Sequence, residues 1–420
     1  MAELLDDLIE LLRIPSVSAG RLNPEGIRQA AEWVQARVRR SGGEAELVGE
    51  HNPIVVGELR ANRAGAPDVI VYGHYDVQDV GPPDEWLSDP FEPEVRDGRL
   101  YARGASDDKG NCLPVLHAAC EMHAAGDLPV NVRLLIEGEE EAGSDQVMEW
   151  IAADERGADA AIVFDSGMAS EDIPAITTAC RGSIGVTVTV RVGERDLHSG
   201  LYGGVAPNAI HALMQMLAAV VPGEDGQVRS ELAVGVAEPP ASEIESWAEL
   251  PPNPEFHLLT GARPSLSLNG VISGATDELR TIIPAVAKAN LSLRTAPGQS
   301  SAGLAPVLER LLRDAAPGGV EVDISMNVAE PALFDAESAP LRLARAAFER
   351  ATGRPPALVR SGGTIPILAA FAERGIQAIV SGFALPEDAI HAPNESFRLE
   401  SLELGEKTSR ALFEELGKLR

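Results

Sequence analysis

The sequence contains few cysteines, few aromatic residues and no long hydrophobic run. Three cysteines in 420 residues are too few for a disulfide framework, so we interpret them as small buried residues of a reduced, cytoplasmic protein. The longest apolar stretch, 212–221, is interrupted by Gln215 and followed by Pro222, and it is shorter than the roughly 20 residues of a membrane span. Aromatic residues make up 4% of the chain, so its core must be mainly aliphatic.

Basic residues are also scarce. The chain has 35 lysine and arginine residues against 64 aspartate and glutamate residues, which gives a formal net charge of −29. Because a surface this acidic repels phosphates and anionic lipids, we expect neither a nucleic-acid partner nor a membrane partner. The acidic first 17 residues are typical of an amphipathic helix and lack the basic start of a signal peptide. Disorder is excluded, because 45% of the residues are hydrophobic, and the length predicts two or three domains.

The first part of the chain alternates between strand-like and helical patterns. Strand-like apolar runs occur at 53–59, 69–72, 130–136 and 160–164. Helical patterns occur at 2–13, 26–40 and 109–125. This alternation is typical of an α/β layer structure with a largely parallel sheet, in which binding sites form at the carboxyl ends of the strands.

The pattern changes after residue 182. In order, the next segments are a strand with period-two alternation at 183–192, a helix at 207–221, a connection rich in proline and glutamate at 222–262, strands at 265–272 and 285–295, a helix at 301–315 and a strand at 320–328. This βαββαβ order predicts a ferredoxin-like α+β insert. The α/β rhythm then resumes, with helices at 338–351, at 364–374 and from about 400, and a strand at 377–381. We therefore divide the chain into one discontinuous domain, 1–182 with 331–420, and an inserted domain, 183–330.

Polar clusters follow the predicted strands. They are Gly-His-Tyr-Asp at 73–76, Arg-Gly-Ala-Ser-Asp-Asp-Lys-Gly at 103–110, Glu-Gly-Glu-Glu-Glu-Ala-Gly at 137–143, Asp165 and His391. If the strands are neighbours, several carboxylates and two imidazoles meet at one sheet edge, where a metal ion is the simplest way to neutralise their charge. Histidine nitrogens with carboxylate oxygens suit Zn²⁺ or Mn²⁺, and two ions roughly 3.5–4 Å apart could share one carboxylate. Asp76 is spaced to hydrogen-bond the second ring nitrogen of His74.

Each cluster taken alone also has an ordinary structural explanation. His74 could be a hydrogen-bonded core histidine, and the three glutamates at 139–141 could form a solvated acidic turn. Asp107 and Asp108 could be a helix cap, since aspartate is favoured there. The order of the clusters and their placement at strand ends favour a common site over these separate explanations.

Six features together carry a resemblance. They are Gly-His-Tyr-Asp-Val at 73–77, Ser-Asp-Asp-Lys-Gly at 106–110, Glu-Glu-Glu-Ala-Gly-Ser at 139–144, Asp165, Asp-Leu-His-Ser-Gly at 196–200 and the loop of His391. This set resembles the dinuclear zinc metallopeptidases, which include carnosinase-type dipeptidases, carboxypeptidase G and succinyl-diaminopimelate desuccinylase. Asp-Leu-His-Ser-Gly-Leu-Tyr-Gly-Gly at 196–204 and Ser-Gly-Gly-Thr-Ile-Pro at 361–366 resemble in particular the carnosinase-type, or cytosolic nonspecific, dipeptidase branch.

The resemblance implies a role for each residue of the clusters. Five side chains would bind two divalent metal ions, Zn²⁺ or alternatively Mn²⁺: His74 and Asp165 would hold one ion, Glu141 and His391 the other, and Asp107 would bridge both. Glu140 would be the general base that activates a metal-bridged water, and Asp76 would orient His74. The Asp107–Asp108 peptide bond is expected to be cis.

The resemblance also implies a phosphorylase/hydrolase-like catalytic domain for 1–182 with 331–420, and a lid and dimerisation role for the insert. His198 would reach the active site of the neighbouring subunit in a homodimer and stabilise the oxyanion. Arg294 would hold the terminal carboxylate of the substrate, while Thr281 and Thr364 would contact the substrate. Taken alone, Arg294 could be a surface arginine of a strand, Thr281 a turn residue and His198 a structural histidine.

The implied function is hydrolysis of the amide bond of dipeptides, or of other short peptides with a free C-terminal carboxylate. A guanidinium at Arg294 favours such substrates, because it can bind a carboxylate through two hydrogen bonds. Two alternatives stay open. One is an N-acyl- or N-carbamoyl-amino-acid amidohydrolase with the same chemistry, and the other is a catalytically silent relative that acts as a binding or scaffold protein. The silent relative is disfavoured, because all five ligand positions and Glu140 are present.

Overall fold

The computed structural model describes residues 2–274, 278 and 280–419. In chain order, its α-helices are α1 (Ala2–Leu12), α2 (Pro24–Arg40), α3 (Lys109–Ala125), α4 (Asp145–Ala153), α5 (Ser199–Tyr202), α6 (Ala209–Ala218), α7 (Ala241–Trp247), α8 (Pro254–Gly261), α9 (Ser301–Asp314), α10 (Ala339–Thr352), α11 (Pro366–Glu373) and α12 (Leu399–Leu416). Its strands are β1 (Glu44–Val48), β2 (Ile54–Leu59), β3 (Asp68–His74), β4 (Glu94–Arg96), β5 (Arg99–Tyr101), β6 (Asn131–Glu137), β7 (Ala160–Phe164), β8 (Ala175–Cys180), β9 (Gly182–Arg191), β10 (Leu197–His198), β11 (Ser265–Ser273), β12 (Ile282–Ile283), β13 (Val286–Thr295), β14 (Glu321–Ala329), β15 (Ala332–Leu333), β16 (Ala357–Ser361), β17 (Ala378–Ser381) and β18 (Ser396–Arg398).

The largest sheet is mixed, and its central strands are parallel. Its strands run in the order β1-β2-β6-β3-β7-β17-β8-β15, and β16 pairs with β8. Within it, β6, β3, β7 and β17 form a continuous parallel group. These strands consist of apolar runs without alternation, because a sheet covered on both faces buries every side chain. The register places His74 beside Glu137, so the carboxyl ends of these strands meet at one edge.

Helices pack on this sheet and complete its core. α3 contacts α1 and α12, α12 also packs on α10, and α4 packs on α11. α3 is buried along most of its length, which fits a sequence with apolar residues on all sides. The core is mainly aliphatic, as the low aromatic content predicts, and its buried aromatic residues include a cluster of Phe164, Phe348 and Phe383. Among the described residues, no helix is long and apolar enough to cross a membrane.

A separate antiparallel sheet runs in the order β11-β13-β9-β14. Buried and half-buried residues alternate along β9, because α6 and α9 pack against one face of the sheet and leave the other uncovered. The covered face has its own hydrophobic core, which includes Val188, Leu213 and Leu308. The order β9-α6-β11-β13-α9-β14 is βαββαβ, so the predicted α/β fold with an α+β insert is confirmed.

Several short elements lack a signal in the sequence pattern. The pattern does not predict β1, α4, β8 or β16, and the connection at 222–262 contains α7 and α8. β8 and β16 pair with each other although they are far apart in the sequence, starting from Ala175 beside Ala357. Such strands form because of long-range pairing and burial, which local propensity does not reveal. Helix starts also differ: α2 and α11 begin at Pro24 and Pro366, since proline is favoured in a first turn.

Candidate metal centre and active site

The candidate site lies at the carboxyl ends of β3, β6 and β7. His74 is the last residue of β3, Asp165 follows β7, and Glu140–Ala142 form a 3-10 turn after β6. Asp107 lies just before α3, and His391 has a left-handed backbone conformation (φ 61°) in the loop before β18. The parallel register therefore gathers all of the predicted clusters at one edge, although they are far apart in the sequence. The Asp107–Asp108 peptide bond is cis, as the resemblance implies.

Two sets of donor atoms meet at Asp107. In the first set, His74 Nε2 lies 3.1 Å from Asp107 Oδ1 and 3.9 Å from Asp165 Oδ1. In the second set, His391 Nε2 lies 2.9 Å from Asp107 Oδ2 and 3.0 Å from Glu141 Oε1. Within each set the donor atoms all lie within 4.8 Å of one another, close enough to hold one ion. The five residues predicted as ligands are thus brought together, and each Asp107 oxygen faces a different set.

Asp76 lies beside His74 and is fully buried. Its carboxylate is 3.3 Å from His74 Nδ1, and its backbone oxygen is 3.1 Å from the same nitrogen. The carboxylate also accepts hydrogen bonds from the backbone N–H groups of Glu140 and Glu141, at 3.3 and 3.2 Å. Because Nδ1 is engaged in this way, Nε2 of His74 remains for the first donor set.

The three consecutive glutamates have different environments. Glu139 accepts hydrogen bonds from the backbone N–H and the side-chain amide of Gln146, at 2.6 and 2.7 Å, at the start of α4. Glu141 faces His391 and accepts a hydrogen bond from Gln78 at 2.9 Å. Within the described residues, the carboxylate of Glu140 accepts no hydrogen bond. Because of its contacts with Gln146, Glu139 acts as a helix-capping residue. Gln78 is part of the site although no sequence signal identifies it.

Burial and crowding shift the pKa values of the carboxylates. Burial raises the pKa of Glu140 to about 8 and the pKa of Asp165 to about 7, and neighbouring carboxylates act in the same direction. Burial acts on Asp107 as well, but hydrogen bonds from His391 and His74 hold its pKa below the usual range. Asp107 is therefore the carboxylate that stays ionised between the two imidazoles.

The pKa values of the two imidazoles are raised in the metal-free protein, whereas a bound metal ion lowers the pKa of a histidine. Hydrogen bonds to Asp107 and Glu141 raise the pKa of His391 to about 10. Burial opposes protonation of His74, but hydrogen bonds to Asp107 and Asp76 raise its pKa well above the ordinary value. At neutral pH the metal-free protein therefore carries a proton on each histidine. The positive charge of these protons balances the carboxylates, as bound cations would.

The residues predicted to contact the substrate fall into two separate places. Arg294, on β13, donates a hydrogen bond to Thr364 Oγ1 at 3.0 Å, and Thr364 donates to the backbone oxygen of Arg181 at 2.6 Å. His198 lies on the short ribbon of β10 and β12, where Ser199 N donates to the backbone oxygen of Thr281 at 2.9 Å. Both His198 and Thr281 are exposed. Within the described part of this single chain, neither makes a hydrogen bond or ion pair with the metal-ligand cluster.

Both the sequence and the fold of the chain match known peptidases. The chain belongs to peptidase family M20/M25/M40, whose sequence profile matches residues 70–415. It is 28% identical over 440 residues to the human Beta-Ala-His dipeptidase, covering 98% of this chain and 86% of the relative. It is 29% identical over 394 residues to the Cysteinylglycine-S-conjugate dipeptidase of Corynebacterium striatum, covering 88% of this chain and 85% of that protein. Among solved structures, the M20 family metallo-carboxypeptidase Sso-CP2 from Sulfolobus solfataricus matches with a TM-score of 0.87 and 26% identity over 100% of both chains.

These likenesses confirm the predicted family, the enzyme class and the α/β fold with an inserted α+β domain. The chain also covers most of the length of the two dipeptidases, so the likeness extends to the insert as well as the central sheet. The comparisons do not identify the metal ion.

Binding of divalent ions to the metal-free protein should release protons at pH 7. His74 and His391 have raised pKa values, so both carry a proton there that an ion must displace. We expect release of more than two protons per two ions bound, because Asp165 and Glu140, with pKa values of about 7 and about 8, also carry protons in part at this pH. The metal affinity should rise as the pH increases toward the pKa of His391. Calorimetric titration with Zn²⁺ in buffers of different ionisation enthalpy measures this release. Binding without proton release would contradict the protonation states described.

Proposed function

We propose that this chain is a metallodipeptidase that hydrolyses dipeptides and other short peptides ending in a free carboxylate. The observation that carries the proposal is the pair of donor sets that share Asp107, in a chain that also presents Arg294 beside Thr364. Membership of peptidase family M20/M25/M40 supports a peptidase, and relatives named as dipeptidases support short substrates. No observation favours the N-acyl-amino-acid alternative or the silent relative over this function.

The donor sets fit a pair of divalent ions. His74, Asp165 and Asp107 would hold one ion, and Asp107, Glu141 and His391 would hold the other. Imidazole nitrogens with carboxylate oxygens suit Zn²⁺, which we propose, and the same donors also accept Mn²⁺. Two such ions, when bound, would lower the pKa of a water molecule and polarise the carbonyl of the substrate.

Glu140 is proposed as the general base. Its carboxylate is partly buried beside the donor sets, and it is not engaged by the hydrogen bonds that hold Glu139. Burial raises its pKa to about 8 in the metal-free protein, and nearby cations would lower that value toward neutrality, where a carboxylate can both accept and return a proton. Glu140 would accept a proton from the attacking water and pass it to the leaving amine.

Replacing Glu140 with glutamine should strongly reduce hydrolysis without emptying the metal site. Removal of a general base typically lowers the rate by about 10²–10⁴-fold, so kcat on a dipeptide should fall in that range. The control is Glu139→Gln, which changes the adjacent residue in the same way but keeps an oxygen acceptor for Gln146. Metal content and kcat of both variants should be measured together. Retained activity in Glu140→Gln, or an equal loss in Glu139→Gln, would contradict the assignment.

Arg294 is proposed to bind the C-terminal carboxylate of the substrate. Its guanidinium is half-buried and hydrogen-bonded to a neutral hydroxyl, and no acidic side chain pairs with it within the described residues. An unpaired, partly buried cation is costly, and in a chain with a net charge of −29 most basic residues have acidic partners available. The carboxylate of a substrate would supply the missing counter-charge, and Thr364 would hold the guanidinium in place.

Replacing Arg294 with methionine should reduce the hydrolysis only of substrates that carry a free carboxylate. Loss of hydrogen bonds to a charged group corresponds to about a 10–100-fold fall in kcat/KM. The control is Lys288→Met, which removes an exposed cation from the same strand and the same face of the sheet. Each variant should be assayed on a dipeptide and on its C-terminal amide. Arg294 would be misassigned if the variant kept its full preference for the dipeptide over the amide.

We further propose that residues 183–330 form a lid and dimerisation domain, and that His198 acts in the active site of the partner subunit. The separation of His198 from the metal-ligand cluster within one chain supports this, as does its exposed position on the ribbon of β10 and β12. There its imidazole would donate a hydrogen bond to the carbonyl oxygen on which negative charge develops. Thr281, on the adjacent chain segment, would contact the same substrate.

Mixing two inactive variants tests this proposal. A dimer of one His198→Ala subunit and one Glu140→Gln subunit would contain one site with both functional residues. Random mixing of equal amounts should restore about a quarter of wild-type activity, because half of the dimers are mixed and each has one intact site. Size-exclusion chromatography with light scattering provides the mass. Activity no greater than that of the separate variants would show that His198 does not act across subunits.

A further inference from the structure

The side chain of Glu395 joins two loops of the metal site. Its carboxylate is fully buried, and Glu395 lies four residues after His391 in the chain. Oε1 accepts hydrogen bonds from the backbone N–H groups of Ser106 and Asp107, at 2.8 and 3.0 Å. Oε2 accepts from the backbone N–H of Gly104 at 2.9 Å and from the Arg103 guanidinium at 2.7 Å. One carboxylate therefore binds the loop that ends at Asp107 through four donors.

A buried carboxylate is costly unless such donors replace its hydration. Here each oxygen has two donors, and the Arg103 side chain, which is itself almost fully buried, supplies the counter-charge. This arrangement holds only in one geometry, because a shift of either loop would leave the carboxylate or the backbone N–H groups without partners. The loop of residues 103–107 is thus fixed relative to the loop that carries His391.

Other buried side chains strengthen the same connection. Asp388 accepts a hydrogen bond from Ser106 Oγ at 3.0 Å. The Asn111 side chain accepts from Phe383 N at 2.7 Å and donates to the backbone oxygen of Ser106 at 3.0 Å. Of these contacts, only that of Glu395 reaches the backbone of Asp107 itself. Glu395 is therefore the side chain best placed to set the position of that ligand.

We infer that Glu395 is a positioning residue that fixes the shared ligand Asp107 relative to His391, so that the two metal positions form together. The inference rests on the dinuclear centre of the proposed function. Asp107 contributes one oxygen to each donor set, whereas His391 belongs to the second set alone. A displacement of the Asp107 backbone would therefore disturb both sets. Loss of partners that orient metal ligands typically weakens metal binding by about 10–100-fold.

The test is Glu395→Gln, which keeps the shape of the side chain but turns one of its oxygens into an N–H donor that faces other donors. Metal affinity and stoichiometry should be measured by titration with Zn²⁺ against a competing chelator, and by the absorption of bound Co²⁺. We expect about 10–100-fold weaker binding of both ions, with a circular dichroism spectrum like that of the wild type.

The matched control is Glu243→Gln. Glu243 is equally buried and pairs with Arg360 at 2.7 Å, with side chains 2% and 1% exposed, but it lies on α7. Its replacement disturbs a buried ion pair of the same kind, so it shows what a general loss of stability does to metal binding. We expect its metal affinity to stay within twofold of the wild type. Equal weakening in both variants would overturn the inference.

The outcomes separate this inference from the proposed function. A wild-type protein that binds fewer than two ions would contradict the dinuclear centre itself. If the wild type binds two ions, two results would overturn the role of Glu395. One is a metal affinity of Glu395→Gln within twofold of the wild type. The other is weaker binding of only one of the two ions. If the glutamine variant does not fold, Glu395→Asp keeps the charge opposite Arg103 and shortens the side chain by one methylene. The same twofold criterion then applies to that variant.

Discussion

The concentration of carboxylates at one edge of the parallel sheet is the constraint on which the rest of the site depends. Asp107 lies at its centre, with each of its oxygens within 3.1 Å of a different imidazole. Like charges this close are tolerated only if protons or cations neutralise them, and the raised pKa values of Glu140 and Asp165 reflect that need. The arrangement therefore favours the binding of positive charge even in the absence of a substrate.

The surrounding residues keep this unfavourable arrangement in one geometry. Asp76 holds the imidazole of His74 and the backbone of the following glutamates, while Glu395 holds the backbone of Asp107. Each of these carboxylates is itself buried and satisfied by several donors, so the cost of one buried charge is offset by hydrogen bonds that orient another. In the proposed function, the central sheet would provide the hydrolytic groups, and Arg294 on the antiparallel sheet of the insert would bind the substrate.

The sequence predicts the parts of the molecule that leave a local signal. The continuous apolar runs of β3, β6 and β7 end at polar residues, so both the parallel sheet and the position of its site could be predicted. The alternation along 183–192 likewise predicts β9 with one covered face. The three consecutive glutamates carry no such pattern. Their roles are assigned by the resemblance, and in the structure the contacts with Gln146 set Glu139 apart from its neighbours.

Features that depend on long-range contacts could not be predicted. β8 and β16 are short, and each is stabilised by a partner from a distant part of the chain. Glu395 is a single glutamate in a loop, and Gln78 a single glutamine after β3. No periodicity or spacing marks either of them, since their roles arise from atoms that the fold brings to within hydrogen-bonding distance.

The central claim is that two ions share Asp107, and anomalous X-ray scattering from crystals of the zinc-loaded protein tests it most directly. The account predicts two peaks, each about 2.0–2.2 Å from a different oxygen of Asp107. One peak should lie beside His74 and Asp165, and the other beside Glu141 and His391. A single peak, or two peaks of which only one contacts Asp107, would contradict the account.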